Sequence, residues 1–333
     1  MREIGSEFWS VPTSEGDNSL FPQFTRWFLS GRSALKAIIG QLKQEKTAAL
    51  PAWCCESMIK PFTDAGFEVC FYPVWWDHGL IQEPRTDCDV LLLMDYFGFA
   101  ERRPRQIHYS GVVIRDVTHS LFSARPTDAD YYFGSLRKWC GVWTGGFAWS
   151  THPLSEAEED FPEYAALRAQ AMKEKAEYLN SCPGSEKTKT YLQLFSRAEE
   201  LLESCSPFKA AERDVVLARR LDRERIISRR RENAAVLMEA LSDLLIFPDL
   251  SPEDCPMFVP ILVPDGKRDA LRQSLIQQMI YCPVHWPLSQ LHRVDPRARR
   301  LFENELSIIC DQRYSPADME RVAESVRAFW KEA

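Results

Sequence analysis

Two short apolar runs, DVLLLMD (89–95) and GVVIRD (111–116), constrain this chain more than any other feature. A strand with one wet face alternates apolar and polar residues; a strand buried on both faces does not. These runs are continuous, and each ends in an acid. Separated by crossover segments, they indicate a mainly parallel sheet covered on both faces. TAALPA (47–52), FEVCFYPV (67–74), DYYFGS (130–135) and GGFAWST (145–151) read as further strands.

Helical signals frame them. In LSGRSALKAIIGQLKQE, Ser30 is a candidate N-cap, and Leu35, Ile38, Ile39 and Leu42 recur at helical spacing. From Leu154 to about Ala240 the pattern is helical and charged, with CPGSEKTK (182–189) as a turn between helices. Beyond it, MFVPILVP and LSIICDQ read as strands and GKRDALRQSLIQQMI as a helix. A last helix opens at SPADMERV, where Ser315 caps, Pro316 suits the first position and Asp318 falls in the first turn.

With 333 residues, 45% of them hydrophobic, the chain can build a large core and more than one domain. Its net charge of −7 mixes both signs, and the densest basic cluster, Arg229–Arg231, sits in a helix that also carries acids. This argues against nucleic acid as a partner. No apolar run approaches membrane-span length, and the N-terminus lacks the basic-then-apolar order of a signal peptide. The ten cysteines show neither CxxC nor zinc spacing, so no metal site is expected. They read as reduced residues of a cytoplasmic protein.

Chemistry enters at YYFGSLRKWCGVWTGGFA (131–148). Lys138 stands there among Phe133, Trp139, Trp143 and Phe147. A lysine desolvated by aromatics has a depressed pKa and attacks carbonyls; the alternative is a lysine that buries its stem and leaves its head in water. Twenty-two residues earlier, Asp116 ends the strand GVVIRD, and ligands of open α/β sheets bind at the carboxyl ends of strands. A strand-end aspartate and a Schiff-base lysine are what pyridoxal phosphate (PLP) needs, because the carboxylate keeps the pyridine nitrogen protonated. SGRSAL offers a helix N-terminus for its phosphate, with Gly31, Arg32 and Ser33 in the first turn, and Ser135 adds a hydroxyl. There is no GxGxxG and no GxxxxGK[ST].

The order of these motifs resembles the DegT/DnrJ-type sugar aminotransferases, PLP enzymes of fold type I. SGRSAL resembles the family's phosphate-binding turn. LPAWCCESMIKPFTDAGFEVCFYPV resembles the strand–helix–strand that places a residue over the cofactor ring, with Trp53 and Cys55 as alternatives for that role. DYFGF resembles the following strand end. RDVTHS resembles the Asp-x-x-Gln/His signature, with Asp116 on the pyridine nitrogen and His119 near the ring oxygen. SLRKW carries Lys138, and TGGFA resembles the glycine pair after it. YCPVHWPL and IICDQRYSPADMERVAESV resemble the small domain's motif and closing helix.

The resemblance covers almost the whole chain. It implies an aspartate aminotransferase-type α/β fold: a large three-layer αβα domain with a mainly parallel sheet at 1–215, and a smaller α/β C-terminal domain at 216–333. It further implies a cytoplasmic homodimer in which Lys138, Asp116 and His119 are catalytic. Tyr96, His285, Trp286 and Arg313 are substrate candidates, with packing or an ordinary salt bridge as the alternatives for Tyr96 and Arg313. Arg137 either contacts phosphate or faces solvent. An amino acid such as glutamate would be the donor and a nucleotide-linked keto-sugar the acceptor. The chain departs from the family in a charged helical insertion at about 155–200. Cys205 also stands where the family places an asparagine that reaches the partner's phosphate, with Ser206 or Lys209 as substitutes. A non-catalytic or dehydratase-like protein of the same fold is the alternative; Lys138 argues against a dehydratase, which replaces the lysine with histidine.

Overall fold

The computed structural model describes residues 3–16, 20–100, 109–124, 127–180, 188–202, 206–293 and 295–332. The turn expected within 182–189 lies mostly outside them, as does Cys205. Two compact units are interleaved along the chain: Met1–Ser6, Gln44–Asp130 and Arg223–Ala333 form the first, Glu7–Lys43 and Tyr131–Asp222 the second. Neither follows a single cut at residue 215.

The first unit is built on four parallel strands. Val112–Asp116 pairs with Val90–Met94, which pairs with Thr47–Pro51, which pairs with Glu68–Tyr72. Val90–Met94 is buried along its whole length, as its unbroken apolar run predicts. The register sets Met94 opposite Asp116 and Pro51 opposite Tyr72. The residues that follow these strands, Trp53 and Tyr96 among them, therefore start from one edge of the sheet. Helix Glu56–Asp64 makes the crossover between Thr47–Pro51 and Glu68–Tyr72. The C-terminal part pairs Phe258–Leu262 with Glu305–Ile309, antiparallel. Helices Arg223–Ala240 and Pro316–Glu332 pack together in the same unit. Ser315 caps the last helix by exchanging bonds with Asp318, as expected.

In the second unit the strands are antiparallel: Gly146–Ser150 lies between Tyr131–Ser135 and Arg26–Phe28. The connection from Ser135 to Gly146 carries only a single 3₁₀ turn, Leu136–Lys138, too short for the crossover that parallel pairing demands. Helix Gly31–Ile39 packs on Gly146–Ser150. Gly146 permits this, since a Cβ there would meet the Ser30 carbonyl oxygen at 2.0 Å. The insertion forms helices Pro162–Asn180 and Tyr191–Leu201, packed on each other.

Gly98, in the expected DYFGF turn, has φ +81°, and a Cβ there would lie 2.0 Å from the Cys255 carbonyl oxygen and 3.0 Å from that of His119. Gly98→Ala combines backbone strain with a clash against main chain. It should lower stability by about 2–3 kcal/mol, read as a lower urea midpoint at unchanged slope. An unchanged midpoint would show that this turn does not tie the strand end to residue 255.

Candidate active site

Asp116 is the last residue of its strand, and the chain turns over it at once. The Thr118 N–H donates to Asp116 Oδ1 at 2.7 Å, a local Asx turn. The side chain is 6% exposed and makes no ion pair among the described residues. Burial pushes its pKa up to about 6; the hydrogen bonds from Thr118 pull the other way, and the charge of Asp95 adds to the rise. Asp95 itself is held by Arg115 at 2.6 Å and by the Ser120 hydroxyl at 2.7 Å. The result is a buried carboxyl that lacks a cation, a costly state that a cationic ligand relieves.

Aromatic rings occupy the same strand ends. Trp53 is fully buried and stacks on Tyr96 at 5.1 Å, with Trp286 edge-on at 5.5 Å. Its indole nitrogen is buried without a hydrogen-bond partner. Tyr96 is buried too and donates its hydroxyl hydrogen to the Trp53 carbonyl, which is the packing role. His119 stacks on Trp286 at 5.6 Å and lies 5.6 Å from His285. The Phe97 N–H donates to His119 Nδ1 at 3.3 Å, so the ring proton sits on Nε2, a donor position. Cys55 occupies the N-cap position of helix Glu56–Asp64 without a side-chain capping bond, and its thiol contacts the Ser57 hydroxyl. One unit thus gathers Asp116, His119, Trp53, Tyr96, His285 and Trp286. Arg313 does not serve as a free carboxylate clamp: its guanidinium is engaged by Asp311, with both contacts at 2.8 Å, and by the Ser6 carbonyl.

The second unit holds the other candidates. Lys138 ends the 3₁₀ turn with its side chain exposed, whereas Phe133, Trp139 and Phe147 are buried and Trp143 lies under the Arg213 guanidinium at 4.1 Å. The aromatics therefore belong to the core and do not desolvate the ammonium; in a tight turn, adjacent residues point to different sides. Arg137 does not face solvent. It is buried, bonded to Tyr164 and paired with Glu199 at 2.9 Å. Arg168, 1% exposed, pairs with Glu7 at 3.3 Å. Burial alone would raise Glu199, but Arg137, Lys138 and Arg168 hold it down to about 2. The same three cations lower Glu7.

Gly31 opens its helix against Ser135, close enough that an added Cβ would come within 3.3 Å of the Ser135 Cβ. Ser30 caps the turn by accepting the Ser33 N–H at 3.2 Å. Arg32 reaches away, to the Leu202 carbonyl at 3.0 Å. Ser206 is exposed, and Lys209 pairs with Asp160 at 3.4 Å. Thr118, Glu199 and Arg168 were not anticipated from the sequence. The Asp-x-Thr spacing signals the first; the other two depend on tertiary pairing that no local pattern carries.

No family model matches the chain, and no curated protein sequence does. Solved structures match it nearly end to end. Helicobacter pylori PseC, an aminotransferase of pseudoaminic acid biosynthesis, has a TM-score of 0.66 at 14% identity, over 98% of this chain and 100% of that one. Streptococcus pneumoniae Spr1654 in its PLP form, assigned as a sugar aminotransferase, gives 0.61 at 14% over 98% and 99%. A DegT/DnrJ/EryC1/StrS aminotransferase of Brucella abortus gives 0.55 at 14% over 92% and 85%. The chain has the fold of these enzymes, the PLP-dependent transferase fold.

A carboxyl whose pKa rises on folding from 3.8 to about 6 binds more protons folded than unfolded in that window. It therefore weakens folding as pH climbs through the window, and fully above it. In cofactor-free protein, Asp116→Asn should stabilise relative to wild type by up to about 3 kcal/mol at pH 8 and by almost none at pH 4. Urea titrations at the two pH values measure this; a pH-independent difference would show that Asp116 is compensated.

Proposed function

We propose that the chain is a PLP-dependent aminotransferase that moves an amino group from an amino acid such as glutamate to a nucleotide-linked keto-sugar. The observation that carries this reading is Asp116, a buried carboxyl without a cation at the carboxyl end of a parallel strand. A protonated pyridine nitrogen is the partner such a group fits, and a neutral His119 with its proton on Nε2 suits a ring oxygen. The fold shared with solved sugar aminotransferases supports the same assignment.

In this reading Asp116 would hold the ring-nitrogen proton, His119 would donate to the ring oxygen, and Trp53, Cys55 or both would line the ring. Gly31, Arg32, Ser33 and Ser135 would hold the phosphate; of these, the Gly31 and Arg32 amides are the first-turn donors left by the Ser30 cap. When bound, the cofactor supplies an electron sink for the substrate carbon. Lys138 would supply the amine for covalent attachment and would move a proton at that carbon. Tyr96 and Trp53 exclude water from the strand ends. His285 and Trp286 would approach the substrate.

The test is a panel of amino acids added to PLP-loaded protein. At least one, with glutamate as the leading candidate, should bleach the visible cofactor band and release its keto acid in a near-stoichiometric single turnover. Bound PLP with no keto acid from any donor would replace this reading with the non-catalytic one.

We further read the protein as a cytoplasmic homodimer. The eight described cysteines are all free, which suits a reducing compartment. No described helix is long and apolar enough to cross a membrane. Sedimentation at micromolar concentration should give twice the 38.5 kDa chain mass; a monomer that still turns over would contradict the dimer.

A further inference from the structure

A hydrogen-bonded chain in the first unit ends at His285 and begins at an acid that the proposed chemistry leaves unused. Glu305 and Ser307 lie two residues apart on strand Glu305–Ile309, so their side chains share a face. Both are 0% exposed. Ser307 Oγ is 2.5 Å from Glu305 Oε1 and 2.8 Å from His285 Nδ1, and the His285 N–H donates to Glu305 Oε2 at 2.6 Å. The three groups thus form one continuous contact path. The His285 ring packs against Phe258 at 5.0 Å, Trp286 at 5.3 Å, Phe97 at 5.5 Å and His119 at 5.6 Å.

Arg268 acts on Glu305 from helix Arg268–Gln277, the Cys282 thiol senses Glu305, and His119 faces His285. Burial pushes Glu305 up to about 8, against the hydrogen bonds from Ser307 and His285 that pull it down. Near neutral pH the carboxyl holds a proton. A buried acid linked through a hydroxyl to an imidazole has no packing purpose that a glutamine would not serve.

We propose that Glu305, Ser307 and His285 form a proton relay that delivers a proton from His285 Nε2 to an oxygen of the substrate. The Glu305 proton passes to Ser307 Oγ as the Ser307 hydroxyl proton passes to His285 Nδ1, and the Nε2 proton passes to the substrate oxygen. One O–H bond breaks at Glu305 and one forms on the substrate; Ser307 is unchanged, His285 stays neutral with its proton moved to Nδ1, and nothing is oxidised or reduced. Solvent returns a proton to Glu305. His285 is the catalytic residue; Ser307 and Glu305 are positioning residues that act through it. The proposal rests on the aminotransferase reading for the identity of the oxygen, that of a ketone, which must be protonated before it leaves as water.

The relay is tested first in cofactor-free protein labelled with ¹⁵N-histidine. Of the six histidines, the His285 signals are assigned by their loss in His285→Gln. Ser307→Ala should change the Nδ1 and Nε2 shifts of His285 and the pH at which they titrate. Ser307→Thr, which keeps the hydroxyl and serves as the folding control, should retain both. Unchanged shifts in Ser307→Ala overturn the relay. With protein loaded with pyridoxamine phosphate and 2-oxoglutarate as the ketone, Ser307→Ala should then lose about 100-fold in single-turnover rate, restored by Ser307→Thr. A wild-type rate in Ser307→Ala overturns the delivery step. The histidine spectra require no turnover, so failure of the amino-acid panel removes the aminotransferase reading while these spectra still decide the relay.

Discussion

A carboxyl buried at the end of an apolar strand, with no cation paired to it among the described residues, is the constraint on which the rest of this structure turns. Four parallel strands bury their faces against other elements, and their register brings the ends of Met94 and Asp116 level. The polar requirement at that edge is met sparingly. Thr118 gives Asp116 hydrogen bonds from its backbone and its side chain, and Arg115 is drawn off to Asp95 and Asp128. Placing Arg115 on Asp116 instead would have lowered its pKa and used up its charge. The fold keeps the Arg115 guanidinium for Asp95 and Asp128, and burial pushes the Asp116 pKa up to about 6.

The second unit solves the opposite problem. Lys138 is exposed, but the turn that carries it is anchored by Arg137, whose guanidinium is buried with Tyr164 and Glu199 from the two insertion helices. Arg168 and Glu7 extend the same set of charges. Removing one member of such a set leaves a buried charge without its partner, which costs more than the pair contributes. The insertion is therefore part of the framework of the lysine turn, and its charged sequence reflects this ion network as well as solvated surface.

Much of the fold was legible because burial writes itself into apolar runs. VLLLM and VVI mark the parallel strands, Ser30 and Ser315 mark helix starts, and the expected helical insertion falls on Pro162–Asn180 and Tyr191–Leu201. The antiparallel pairing of Gly146–Ser150 was hidden, since a run's composition does not state its direction. At the site, the position of Asp116 at a strand end was readable, but the environment of Lys138 was not. Aromatic neighbours in sequence can point away from a side chain, as Trp139 does, and only the turn's geometry decides. Arg313 met its partner two residues away, at Asp311, a pairing the DQR triplet contains without announcing. Glu305 and Ser307 carried no signal beyond two polar residues in an apolar strand.

The central claim is that one lysine of this chain holds PLP and that it is Lys138. Borohydride reduction of the purified protein after incubation with PLP, followed by peptide mass mapping, addresses it directly. The account predicts a single phosphopyridoxyl adduct, on Lys138. Either no adduct after reduction, or one on another lysine with Lys138 unmodified, would contradict it.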